Sequence, residues 1–101
     1  MNTERFNQLF EEQVERSRTV LCAKAKEYAT EDRLHNFKVA AQLEDITTEQ
    51  ALAGMMAKHT VSVYDMCAID KSYPIELWEE KITDHINYLL LLNAVIREEV
   101  E

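Results

Sequence analysis

An all-α fold, arranged as a small four-helix bundle-like domain with long first and last helices, is predicted by three features of this chain. It holds one Gly and one Pro in 101 residues, and strands with tight turns consume both. Its apolar residues recur at spacings of three and four over long stretches, which marks amphipathic helices. Short polar breaks carrying helix start signals separate those stretches. A chain of this length has room for one core, so residues 1–101 are expected to form one helical domain.

The first helix is expected from about Thr3 to Tyr28, with Phe6, Leu9, Phe10, Val14, Val20, Leu21, Ala25 and Tyr28 as its apolar stripe. Thr30 is expected to cap a second helix, with Glu31 and Asp32 in its first turn and Leu34, Phe37, Ala40, Ala41 and Leu43 facing inward. That helix should end before Glu44-Asp45. A third begins at Thr47, where Thr47-x-x-Gln50 reads as a capping box. Its apolar line is Leu52, Met55, Met56, Val63, Met66 and Cys67. Gly54 costs this helix about 1 kcal/mol against Ala, and close approach of a neighbouring helix is the expected compensation.

Pro74 fits the first position of a last helix running to about Glu99. Ile75, Trp78, Ile82, Ile86, Leu89 and Ile96 mark its expected inner face. Tyr88 to Leu92 are apolar all round, and a helix apolar on every side must be covered on every side. That run predicts a homo-oligomer.

Composition narrows the function classes. Hydrophobic residues make up 47% and charged residues 30%, an ordinary globular balance. The formal net charge of −8 argues against duplex DNA as a partner held through a general basic field. No stretch approaches the roughly 18 apolar residues of a membrane span, and the start of the chain has no apolar leader core. A cytoplasmic protein with no membrane partner is expected. Cys22 and Cys67 form no CxxC, so no zinc ribbon or redox pair is indicated, and both are expected as buried reduced thiols.

Three polar clusters interrupt the helical pattern. The first surrounds the break between the first two helices, with Lys24, Lys26, Glu27, Tyr28, Asp32, Arg33, His35, Asn36 and Lys38. Lys, Arg and His side chains beside a helix N-terminus are donors to an anion such as phosphate, and Tyr28 or Phe37 offers a face for a base. A solvated junction with salt bridges explains the same residues without a ligand. The second cluster is Lys58, His59, Ser62 and Asp65. His59 falls on the apolar line of its helix, where a histidine is commonly a satisfied core residue. Ser62, His59 and Asp65 lack an oxyanion hole and make no hydrolytic triad. The third cluster is Glu80, Asp84, His85 and Asn87. Glu80 and Asp84 lie one helical turn apart, so both carboxylates can face one Mg²⁺ ion, although an exposed acidic edge has the same spacing. A single glycine excludes a Gly-rich phosphate loop.

Taken together, Lys26-Glu27-Tyr28-Ala29, Asp32-Arg33-Leu34-His35-Asn36-Phe37-Lys38, Lys58-His59-Thr60-Val61-Ser62 and Glu80-Lys81-Ile82-Thr83-Asp84-His85-Ile86-Asn87-Tyr88 resemble small phage and prophage proteins of Gram-positive bacteria. The chain is more distantly similar to a phage family named for association with nucleotide modification. Beyond that it is similar to the all-α nucleoside-triphosphate pyrophosphohydrolases of the MazG type. Those enzymes hold Mg²⁺ between an acidic pair on one helix and Glu-x-x-Asp on the next. Here Glu80 and Asp84 match the second pair with one more residue between them, and Lys58 and His59 stand on the helix that would carry the first.

The resemblance implies three readings. The first is a phage protein in the bacterial cytoplasm that binds a nucleotide through Lys26, Tyr28, Arg33, His35, Asn36, Lys38, Lys58, His59 and Ser62. Such a protein needs no cofactor, and in an anti-defence role it would sequester a cyclic nucleotide signal. The second is an Mg²⁺-dependent triphosphate pyrophosphohydrolase using Glu80 and Asp84, and the third an interaction protein that inhibits a host factor. No catalytic residue is assigned in any of them.

Overall fold

The computed structural model describes residues 1–25 and 31–101, and among them it forms helices and no strand. The helices are α1 (Thr3–Ala25), α2 (His35–Glu44), α3 (Thr48–Ala68) and α4 (Ile75–Val100). Among the described residues they neighbour one another in the order α2, α3, α4, α1, and α1 makes no close backbone approach to α2 or α3. The bundle is therefore open along one side, within an envelope of 44 × 28 × 26 Å. No helix among the described residues is long and apolar enough to cross a membrane.

Local chemistry sets the helix ends. The Thr47 hydroxyl accepts from the Gln50 N–H at 3.2 Å, and Gln50 Oε1 accepts from the Thr47 N–H at 2.9 Å. This is the predicted capping box, complete in both directions. The start of α2 differs from expectation. Glu31 and Asp32 precede the helix instead of opening it, and Thr30 lies outside the described residues. The Asp32 carboxylate accepts from the Leu34 N–H at 3.0 Å, a turn that competes with helix and delays it to His35. At the other end of α2, Asp45 takes the left-handed conformation at φ 56°. From there the Asp45 N–H bonds the Gln42 carbonyl and the Ile46 N–H the Ala41 carbonyl, satisfying two helix-end acceptors. Pro74 stands just ahead of the first turn of α4, and its carbonyl accepts from Leu77 and Trp78.

The core is small and lies where α2, α3 and α4 meet. Leu34, Phe37, Leu52 and Val95 are buried together, with Tyr88, Leu91, Leu92 and Ala94 packed around them. The inner line of α3 is Leu52, Met56, His59, Val63 and Met66, at alternating steps of four and three, and every member is buried or half-buried. Met55 and Cys67, expected on this line, flank it and are exposed. Cys22 is exposed too, so both thiols are free at the surface and neither is the buried group expected.

The inner face of α4 also differs from expectation. Thr83, Asn87 and Val95 are buried there, whereas Ile75, Ile82, Leu89 and Ile96 remain 62%, 38%, 49% and 42% exposed. The helix has two apolar faces, and the one with fewer isoleucines is turned inward. α1 behaves similarly: Ser17 is buried, while Phe6 and Phe10 stand mostly in water.

Gly54 has no described atom within 4 Å of the position a Cβ would take, so no neighbouring helix explains it. Gly54→Ala is then expected to raise stability by about 1 kcal/mol, seen as a rise in Tm of roughly 4–8 °C. A fall in Tm would mean that this open surface is covered in solution.

Where α3 begins against the end of α4, the Glu49 and Glu99 carboxyls lie beside one another. Glu99 has its pKa raised by its hydrogen bond to Glu49, while the Glu49 carboxylate is held low by its own backbone N–H and then by Glu99. A carboxyl raised in the folded state favours folding only when protonated. Its penalty is thus absent below the ordinary Glu value and complete above the raised one. Glu99→Gln is expected to raise Tm at pH 7, with the difference vanishing below about pH 4. A lower Tm for the variant at pH 7 would refute the upward shift of Glu99.

Candidate functional site

Helix α4 brings the polar clusters into relation. One residue of the first and two of the third line a cavity of about 50 Å³: Arg33 from the turn before α2, and Asp84 and Asn87 from α4. Tyr88 is in the same wall, and the His59 ring of the second cluster lies against it, with centroids 4.9 Å apart and planes inclined by 35°. Leu21, Phe37 and Leu91 complete the lining. His59 is therefore part of the α3 inner line and also reaches the polar junction through Tyr88.

Asn87 is the unusual member. It is 5% exposed, and among the described residues its Oδ1 has no hydrogen-bond partner. Its Nδ2 reaches the Ser17 carbonyl at 3.5 Å, the far limit of a useful bond. A buried carbonyl without a donor costs about 1–3 kcal/mol, so the fold carries a standing penalty beside this cavity. Asn87 also ends a polar seam where two helices would ordinarily meet through apolar side chains. Gln13 Nε2 donates to Ser17 Oγ at 3.2 Å and to Thr83 Oγ1 at 3.0 Å, and Ser17 and Thr83 are themselves buried.

Asp84 lies on two hollows. Besides the small cavity it lines a groove of about 590 Å³ between α1 and α4, a volume suited to a small-molecule ligand. The groove carries six carboxylates: Glu12 and Glu15 on α1, and Glu76, Glu79, Glu80 and Asp84 on α4. Arg16 stands among them with its Nε buried and unbonded. Two of the six are engaged, Glu15 by Arg18 at 2.7 Å and Glu12 by Arg5 at 4.0 Å. Among the described residues no three His, Cys, Asp or Glu side chains converge on a single metal position. Glu12 and Glu15 were not singled out from sequence. Their spacing of three residues was visible, but on a strongly charged helix it is indistinguishable from a solvated face.

Other expected site residues do not reach either hollow. His35 and Asn36 are exposed at the start of α2, and Lys58 is exposed on α3, with Ser62 half-buried one turn along. Lys38 is held by Asp32 and Glu98, each at 2.6 Å. The Lys38 hydrogen bond holds Asp32 below the usual carboxylate range, and the Asp32 and Glu98 bonds push the Lys38 ammonium up. An anion approaching Lys38 must displace two carboxylates. The backbone N–H groups of Leu34, His35, Phe37 and Lys38 are also already bonded, so the expected anion cradle at the start of α2 is largely occupied by the chain itself. Lys26 and Tyr28 lie outside the described residues. His85, beside Asp84, contacts Thr60 Oγ1 through Nε2 at 3.0 Å and ties α4 to α3.

Fold and site together define an open all-α protein with a buried polar junction next to an acidic groove. In comparison with known proteins, no family model matches the chain, and no curated protein and no solved structure is similar to it.

Proposed function

We propose that this chain binds a phosphate-bearing small molecule, a nucleotide, as its Mg²⁺ complex in the groove between α1 and α4. The observation that carries the reading is the placement of Glu80 and Asp84 in one groove with Glu12 and Glu15 of the facing helix. Carboxylates repel a bare phosphate, so an anion enters this groove only with a cation between them. Hard oxygen donors suit Mg²⁺, which commonly keeps several waters and is held through one or two carboxylates plus the phosphates of its ligand. Two carboxylates one turn apart meet that need without a closed cage of protein ligands. The ion's chemistry is to neutralise and orient the phosphates. The chain's own residues do the rest: Glu80 and Asp84 hold the ion, Arg16 offers a donor within the groove, and Asp84 connects it to the cavity of Arg33, Asn87 and Tyr88. Lys38 in its ion pairs and the exposed Lys58 lend less support to a purely cationic site.

Calorimetric titration with ATP and with cyclic dinucleotides, in Mg²⁺ and in EDTA, tests this. Binding is expected in Mg²⁺ alone, and Asp84→Asn should weaken it roughly tenfold or more, as befits loss of a charge-assisted contact worth about 1.5 kcal/mol or more. Equal affinity in EDTA, or no heat with any nucleotide, overturns it. Pyrophosphate release that stops in Asp84→Asn would make the site an enzyme's and not a store.

A further inference from the structure

We propose that α1 and α4 of one chain dock on α1 and α4 of a second copy, along an apolar seam that lies outside the core. The period of α4 is the first observation. Ile75, Ile82, Leu89 and Ile96 stand seven residues apart and are all more than a third exposed. Steps of seven return a helix to nearly the same face, which is how helices that pair along their length place their contacts. Thr83, Asn87 and Val95 occupy the inward face, so this helix has a second apolar face pointing into water.

Helix α1 extends the seam. Phe6 and Phe10 are 61% and 57% exposed, and a groove of about 530 Å³ runs between Phe10, Val14 and Leu21 of α1 and Ile86 and Leu90 of α4. Meanwhile α1 meets α4 through Gln13 and Ser17. A surface helix is normally anchored by its apolar face. Here that face is only partly covered, with Phe6 and Phe10 left outside.

The size of the uncovered surface selects the occupant. A compact monomer of 11.8 kDa exposes about 5,900 Å², whereas this chain exposes 7446 Å². The excess of roughly 1,500 Å² exceeds the ~800 Å² per partner of a standard stable interface and suits a permanent homodimer. The radius of gyration, 15.7 Å against about 13 Å for a compact chain of this length, agrees. A symmetric pair sets the same patch on both sides, so each copy provides the helices that the other's open bundle lacks. The apolar groove shares no lining residue with the acidic one.

Light scattering of the purified chain, coupled to gel filtration, tests the proposal. The expected mass is twice 11.8 kDa. Leu89→Glu and Phe10→Glu should each halve it while far-ultraviolet circular dichroism stays helical. Leu43→Glu, at a position 82% exposed on α2, should leave the pair intact. A monomeric wild type at micromolar concentration overturns the proposal whatever the variants do. So does an assembly larger than two copies, or one that Leu89→Glu does not change.

Discussion

Leu52→Ala is expected to destabilise the protein by about 2–5 kcal/mol, lowering Tm by roughly 8–40 °C. Leu52 is 0% exposed and shares its cluster with three other buried side chains, Leu34, Phe37 and Val95. Truncation removes three carbons from the middle of that cluster. The facing helices cannot close the gap, because α3 is fixed at its start by the Thr47–Gln50 caps and at Thr60 by His85 of α4. The cost combines lost transfer energy with the cavity left behind. A domain of this size has about 5–15 kcal/mol in all, so one substitution removes a large part of it. Leu43→Ala is the control: at 82% exposure it should move stability by less than about 0.5 kcal/mol. If Leu52→Ala costs no more than the control, the stabilising core lies elsewhere, with the α1–α4 seam the first place to look.

The parts of the fold that sequence reading foresaw are those decided locally. Thr47 and Gln50 are three residues apart and need no other element to complete their bonds, so the start of α3 was legible to the residue. The start of α2 was not, because Asp32 is equally suited to a helix's first turn and to a turn that bonds the Leu34 N–H. The competition is settled by what Lys38 and Glu98 hold in place around Asp32. The inner face of α4 was beyond a single sequence for a different reason. Ile75, Ile82, Leu89 and Ile96 make a cleaner stripe than Thr83, Asn87 and Val95, and periodicity reports apolar faces without saying which is inside. Cys67 and Met55 were misplaced by the same ambiguity on α3, by one step around the helix.

The candidate site divides along the same line. Asp84 and Asn87 were visible as polar residues within an apolar helix, and His59 as a histidine on an apolar line. What joins them is the third dimension: the Tyr88 ring under His59 and the shared cavity with Arg33. Gln13 and Ser17 carried a detectable signal, two polar residues four apart along one face of α1. It was masked by the stronger apolar stripe of Phe6, Phe10 and Val14 beside it.

Asn87→Leu is expected to stabilise the fold and weaken ligand binding in the same step. Leucine has the branching and heavy-atom count of asparagine, and the adjoining cavity of about 50 Å³ can take its larger methyl groups. The exchange deletes an Oδ1 that accepts from no donor among the described residues and a bond at the 3.5 Å limit. Removing an unsatisfied buried acceptor should return about 1–3 kcal/mol, or a rise in Tm of roughly 5–15 °C. Natural folds tolerate such a penalty where activity needs the group, which is why a gain in stability with a loss of function is the signature to seek. The variant leaves Glu80 and Asp84 in place, so residual Mg²⁺-dependent affinity for ATP measures what the groove does without the cavity. A lower Tm would show Asn87 to be a structural residue. Unchanged affinity with a raised Tm would detach the cavity from the ligand and leave the acidic groove to act alone.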